Sequence, residues 1–179
     1  MPSRALLTES QTIPAADITQ ALANIGIARV SLSAAVTRTS TTTLSNTGLS
    51  ALDVDLLPSS RYRVTYRVYS SGNNGLTLGL TFPSALNQMD GQILSYDNFT
   101  YGAVQLYPDW ANNVGPSGNL FYDSSTASPQ VASVAIILDI LTGSTANTYG
   151  TIKLLVAQSA SGASATTISK NSCVEVLKF

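Results

Sequence analysis

Tyr149-Gly-Thr-Ile-Lys-Leu-Leu-Val-Ala-Gln158 and, after a Ser/Gly/Ala/Thr stretch, Ser172-Cys-Val-Glu-Val-Leu-Lys-Phe179 decide the fold class of this chain. In the first piece Ile152, Leu154 and Val156 fall on one side of an extended backbone and Thr151, Lys153 and Leu155 on the other. Side chains alternate sides in a strand, so this is a half-buried β-strand. The second piece alternates too, but both its sides are partly apolar. Val174 and Val176 share one; Cys173, Leu177 and Phe179 share the other. A strand with two apolar faces needs cover on both, and at the end of the chain a second subunit is the expected source of the outer cover. The two pieces are read together as a C-terminal hairpin.

Upstream, the same period of two recurs. Tyr62, Val64, Tyr66 and Val68 alternate with Arg61, Arg63, Thr65 and Arg67, the clearest strand in the sequence. Ser71-Gly-Asn-Asn-Gly75 reads as a hairpin turn into a return strand carrying Leu76, Leu78, Leu80 and Phe82, with Gly79 marking a bulge or a close approach. Ala28 to Val36 alternates as a first strand, and Leu52, Val54 and Leu56 alternate with Asp53 and Asp55. Ala132, Val134, Ile136, Leu138 and Ile140 line one face of a strong late strand. Residues 83–130 read as irregular, with short strands near Ile93–Tyr96 and Thr100–Tyr107 and long loops between them. About eight strands separated by turn signals, with no helix among them, predict an all-β, antiparallel jelly-roll sandwich over residues 28–179.

Residues 1–27 read differently. Ile18, Leu22 and Ile25 are spaced i, i+4, i+7 between Pro14 and Gly26, which predicts one short helix behind an extended arm. A helix of about three turns is marginal alone. The segment is therefore expected to anchor onto another protein through that stripe.

Charged residues make up only 11% of the chain, less than half the ~25% usual for soluble domains, while hydrophobic ones reach 44%. Ser, Thr, Asn and Gln supply the polarity instead. Such a surface suits a protein that lives packed against others. A net charge of −1 argues against a nucleic-acid binder. The N-terminus lacks the basic and apolar stretches of a signal peptide, so synthesis in a cytoplasm is expected. The run Val134–Leu141, interrupted by Asp139, is far too short for a membrane span.

Sites of chemistry are hard to draw. There is no histidine to serve as a base, and Cys173, the single cysteine, reads as a buried thiol. No Asp-x-Asp-x-Asp-Gly run suggests a calcium loop. The expectation is a protein without catalytic, cofactor or metal residues. The basic row Arg61, Arg63 and Arg67 reads as an outer strand face, or as one half of intersubunit salt bridges with Asp53 and Asp55 as the obvious acids. Tyr96, Phe99, Tyr101, Tyr107, Trp110, Phe121 and Tyr122 read as core or subunit interface, with a sugar-stacking platform as the alternative.

The wording of several segments is familiar. Gly150-Thr-Ile-Lys-Leu-Leu-Val-Ala-Gln-Ser-Ala-Ser161 with Asn171-Ser-Cys-Val-Glu-Val176, the stretch Leu56-Leu-Pro-Ser-Ser-Arg-Tyr62, the strand ending Phe82-Pro83 and the apolar strand before Gly143 resemble small trimeric jelly-roll domains of tailed-phage structural proteins. Those domains are of the tumour-necrosis-factor type and occur in capsid decoration proteins, head fibres and tail-fibre tips. The resemblance covers residues 52–179 and departs from the group at the Asn/Tyr-rich insert 83–130. It implies a non-catalytic virion protein, a homotrimer that decorates the shell as a cement protein. Its partners would be its own copies, through Cys173, Leu177 and Phe179, and the major capsid protein or another virion protein, through the arm residues Ile18, Leu22 and Ile25. The alternatives it implies are a receptor-binding fibre tip and a glycan-binding module with a host glycan as partner. None of these readings involves nucleic acid, membrane or cofactor.

Overall fold

The computed structural model describes residues 26–83, 86–96, 101–107, 120–124 and 130–179. Within them the chain forms twelve strand segments: β1 (Ile27–Ser31), β2 (Val36–Arg38), β3 (Val54–Leu56), β4 (Arg61–Gly72), β5 (Leu76–Thr81), β6 (Gln88–Tyr96), β7 (Tyr101–Tyr107), β8 (Leu120–Ser124), β9 (Gln130–Leu141), β10 (Gly150–Ala157), β11 (Thr166–Ile168) and β12 (Cys173–Lys178). One turn of 3-10 helix, Ser50–Leu52, precedes β3. The chain is an all-β sandwich.

Two sheets are built, and all their pairs are antiparallel. One runs β1-β12-β4-β9 and continues through the β6-β7 hairpin, while β11 joins β2 to β4. The other runs β3-β10-β5-β8. Taking β1, β3, β4, β5, β8, β9, β10 and β12 in chain order, the path from β4 onward alternates between sheets except where β8 follows β5. That is the double Greek key of a jelly roll. The β6-β7 hairpin is an insertion between β5 and β8 that widens the first sheet.

Period two has a direct cause here. β4 is alternately buried and exposed along Arg61–Ser70 because one side looks into the sandwich. Tyr62, Val64, Tyr66 and Val68 face inward, as do Val134, Ile136, Leu138 and Ile140 of β9 beside them. Leu78 and Leu80 of β5 and Ile152, Leu154 and Val156 of β10 close the core from the other sheet, and Leu49 and Leu52 belong to the same core. At ~1.5–3 kcal/mol for each fully buried large apolar side chain, this core is the main driving force of the fold.

Several sequence expectations are corrected by the strand order. Residues 71–75 do not close a hairpin: β4 pairs with β9, β11 and β12, whereas β5 pairs with β10 and β8. The turn instead carries the chain from one sheet to the other. Gly72 makes the crossing possible, since at φ 153° a Cβ there would overlap the Ala165 carbonyl oxygen. The C-terminal pieces are not a hairpin either. β10 lies between β3 and β5 in one sheet, and β12 between β1 and β4 in the other. The first strand stops at Ser31 and resumes as β2 at Val36. The ladder runs through Gly79 without a shift, whereas the β6-β7 register shifts between Leu94 and Tyr96. Residues 88–96 and 101–107 are strand, so the first of the two strands expected in the insert begins earlier than Ile93 and the second begins at Tyr101.

The predicted arm and its helix lie outside the described residues as far as residue 25. β1 begins at Ile27. The Gly26 carbonyl accepts the Lys178 N–H at 3.1 Å, which brings the start of β1 beside the end of β12.

Candidate interaction face

The outward side of the first sheet gathers most of the residues singled out in the sequence. Register sets them in rows across β1, β12, β4 and β9. Arg61 pairs with Leu141, and its carbonyl accepts the Phe179 N–H, so Phe179, Arg61 and Leu141 form the first row. The next holds Ile27, Leu177, Arg63 and Asp139; the third holds Arg29, Glu175, Thr65 and Ile137; the fourth holds Ser31, Cys173, Arg67 and Ala135.

The first row is the apolar one. Phe179 is 66% exposed and Leu141 40%. Leu57, 54% exposed, sits at the same end, because its carbonyl accepts the Thr142 hydroxyl at 2.7 Å. Leu177 and Ile27 behind them are half-buried. Cys173, the remaining C-terminal residue expected at a partner contact, is fully buried within its own chain. Ile18, Leu22 and Ile25 lie outside the described residues.

Within the chain, Arg63 and Arg67 of the row face acids other than Asp53 and Asp55, and among the described residues Arg61 has no ion pair. Arg63 holds Asp139 of β9 in a two-point contact, Nε to Oδ1 at 2.9 Å and Nη2 to Oδ2 at 2.8 Å. The hydrogen bond and charge of Asp139 push the Arg63 pKa up. Both partners are well exposed, so the pair contributes little stability and mainly fixes side-chain orientation. Glu175 of β12 lies between two arginines, 3.6 Å from Arg29 and 3.8 Å from Arg67. Asp53 and Asp55 do not approach the row, because β3 belongs to the opposite sheet. Asp55 accepts the Thr151 hydroxyl at 2.6 Å, and Asp53 accepts the Asn46 amide at 2.9 Å. The useful sequence signal was an acid in an otherwise apolar strand, Asp139 in β9 and Glu175 in β12, each at an outward-facing position of the period.

Asp53 yields a pH prediction. Burial is the largest influence and raises its carboxyl above the ordinary carboxylate range, against the Asn46 hydrogen bond and the charge of Lys153. A folded pKa above the unfolded one gives stability that is full below the unfolded value and lost as pH rises through the folded one. Asp53→Asn keeps an acceptor for Asn46 and removes the charge. Thermal melts should therefore show the variant more stable than wild type at ~pH 7 and equal to it at ~pH 3. A variant less stable than wild type at neutral pH would contradict the assignment.

The aromatic residues of the insert cannot be placed as a platform: Phe99 and Trp110 lie outside the described residues, as do the side chains of Tyr96, Tyr101, Tyr107, Phe121 and Tyr122. Among the described residues no three His, Cys, Asp or Glu side chains come together as a metal site, and no helix is long and apolar enough to cross a membrane.

No protein-family model matches the chain, and no curated protein matches it. Among solved structures it is similar to the VP2 subviral particle of infectious bursal disease virus, at 7% identity and a TM-score of 0.24, covering 85% of this chain and 39% of that one. The Gt strain of the same virus gives 6% identity and a TM-score of 0.19, with 85% and 40% covered. A lipoprotein from Bacteroides thetaiotaomicron gives 16% identity and a TM-score of 0.14, with 66% and 50% covered. The chain thus spans half or less of the length of these structures. Scores this low carry no argument, and the jelly-roll assignment rests on the strand order alone.

Proposed function

We propose that this chain is a non-catalytic virion structural protein, a homotrimer that decorates the outside of a phage shell and is held there by its N-terminal arm. The observation that carries the reading is a convergence at one end of the sandwich. The chain enters β1 beside the end of β12, and the exposed Phe179, Leu141 and Leu57 lie at that same end. Assembly contacts and arm would thus share one pole. The number three and the phage setting come from the sequence resemblance; the surface comes from the fold. A chain with 11% charged residues suits this life in contact with neighbours. Many arms on one shell would add avidity, because each further contact is made at high effective concentration.

Sedimentation at micromolar concentration should give three times the 18.7 kDa chain mass. A stable monomer would remove the trimer. Deleting residues 1–25 should leave a folded trimer that no longer co-sediments with phage shells lacking the protein. Unchanged co-sedimentation would remove the arm. Binding to host cells instead of shells would favour the alternative, a receptor-binding fibre tip.

A further inference from the structure

At the other end of the same outward face lies a pocket of about 330 Å³, lined by Arg29, Ser31, Tyr69, Lys170 and Asn171. Its β1 wall runs from Arg29, opposite Glu175, to Ser31, opposite Cys173, four to six residues along β12 from Phe179, or roughly 14–20 Å at ~3.4 Å per residue. That distance keeps it clear of the apolar row. Three separate stretches of chain meet there: β1, the end of β4 and the turn between β11 and β12. No sequence motif joins them.

The backbone that carries these side chains is fixed before any ligand arrives. The turn carrying Lys170 and Asn171 is tied to β4 on both sides of Tyr69: Ser169 N–H donates to the Tyr69 carbonyl at 2.8 Å, and Tyr69 N–H donates to the Ser172 hydroxyl at 3.0 Å. Leu32 N–H donates to the Ser172 carbonyl at 3.0 Å, which ties the same turn to the end of β1. Ser172 itself is fully buried. The backbone under the pocket therefore needs no rearrangement to bind, while the exposed Arg29 and Lys170 side chains would be ordered by a ligand.

The polar groups facing the space are cationic and neutral donors. Arg29 touches Glu175 only at 3.6 Å, beyond hydrogen-bond length. Among the described residues its guanidinium donors, the Lys170 ammonium and the Tyr69 hydroxyl make no hydrogen bond. Glu175 is also shared with Arg67, so it offsets only part of the charge of the two arginines, and Lys170 adds a further cation to the pocket lining. Tyr69 adds a partly exposed ring, and Ser31 and Asn171 add a hydroxyl and an amide.

We infer that this pocket binds an acidic saccharide, a pyranose bearing a carboxylate. The carboxylate would lie between Arg29 and Lys170, whose charge-assisted hydrogen bonds are the strong ones. The ring would stack on Tyr69, and ring hydroxyls would reach Asn171 and Ser31. An inorganic anion uses the cations but not the ring; a neutral sugar uses the ring but not the cations. The inference does not rest on the trimer or on the shell-decoration reading.

The test is a titration of the full-length protein, followed by ligand-observed NMR, with galacturonic acid, galactose, inorganic phosphate and a glutamate-rich peptide. Galacturonic acid is expected to bind, with galactose and phosphate each about tenfold or more weaker. Arg29→Gln with Lys170→Gln should abolish binding, and Tyr69→Ala should weaken the sugar about tenfold without changing phosphate. Wild-type melting temperatures for these surface variants would confirm that the loss is local. Galactose binding as well as galacturonic acid would overturn the proposal. So would equal competition by phosphate or the peptide, retention of binding by the double variant, or absence of any galacturonic acid binding.

Discussion

Ile152→Asp is expected to abolish folding, while Leu177→Asp should leave a folded but unassembled chain. Ile152 is fully buried in β10, opposite Val54 in the ladder and in one core with Leu154 and Val156. Among the described residues the core around it holds no cation for a carboxylate to meet. An isolated buried charge costs more than a domain can spare when total stability is only ~5–15 kcal/mol. Leu177 sits on the outward face, half-buried, between Ile27 and Arg63. An aspartate at that point keeps access to water and to the Arg63 guanidinium, so the monomer tolerates it. The same charge would be trapped wherever a second copy covers the row. Circular dichroism separates folded from unfolded chains, and sedimentation separates trimer from monomer. If Leu177→Asp unfolds the chain, Leu177 belongs to the intrachain core. If that variant stays trimeric, the subunits meet elsewhere.

The two positions also mark how far the sequence could be read. Which side of a strand each residue faces was legible, because burial imposes a period of two on the sequence. Tyr62, Val64, Tyr66 and Val68 fall on one face of their strand by period, as do Val134, Ile136, Leu138 and Ile140 of theirs, and both faces are buried. Which strands pair was not legible. Alternation is a property of one strand, whereas pairing depends on where the connecting segment leads. Residues 71–75 have hairpin composition and yet cross between sheets, since Gly72 and Gly75 at φ 153° and 66° permit more than one path. The acid partners of the arginine row followed from the same ambiguity: Asp53 and Asp55 were nearer in sequence, Asp139 and Glu175 nearer in the sheet. Cys173 was assigned to the outward face, and register puts it there between Ser31 and Arg67. Its burial depends on what neighbouring strands bring over it, and no single-strand pattern contains that. The pocket at Arg29, Tyr69 and Lys170 is assembled wholly by topology, for the same reason.

Arg38 is the residue whose importance only the fold discloses, and its loss should be the second large effect. It lies in a Thr/Ser-rich stretch that reads as edge or loop, yet its side chain is turned inward and buried. Nη2 donates to the Thr47 carbonyl at 2.6 Å and to the Ser45 carbonyl at 3.3 Å. Nη1 reaches the Thr37 carbonyl at 3.4 Å, and Nε the Val156 carbonyl at 3.5 Å. One planar guanidinium thereby joins β2, the 45–47 loop and β10, beside the Ser45–Val156 bridge. Burial lowers its pKa, but an arginine remains charged at any ordinary pH. Among the described residues no carboxylate pairs with it, so peptide carbonyls alone compensate the buried cation. Arg38→Met keeps the apolar stem and removes every donor, leaving those carbonyls to be rehydrated or left unsatisfied. A loss of about 2–3 kcal/mol is expected, equivalent to a fall of roughly 5–10 °C in Tm for a domain of this size. Arg38→Lys should recover less than half of it, because a single ammonium lacks the planar fork that spans carbonyls on three strands or loops. Thermal and urea unfolding of the three proteins provide the check. A methionine variant melting with wild type would mean that desolvating the guanidinium cancels what its hydrogen bonds supply.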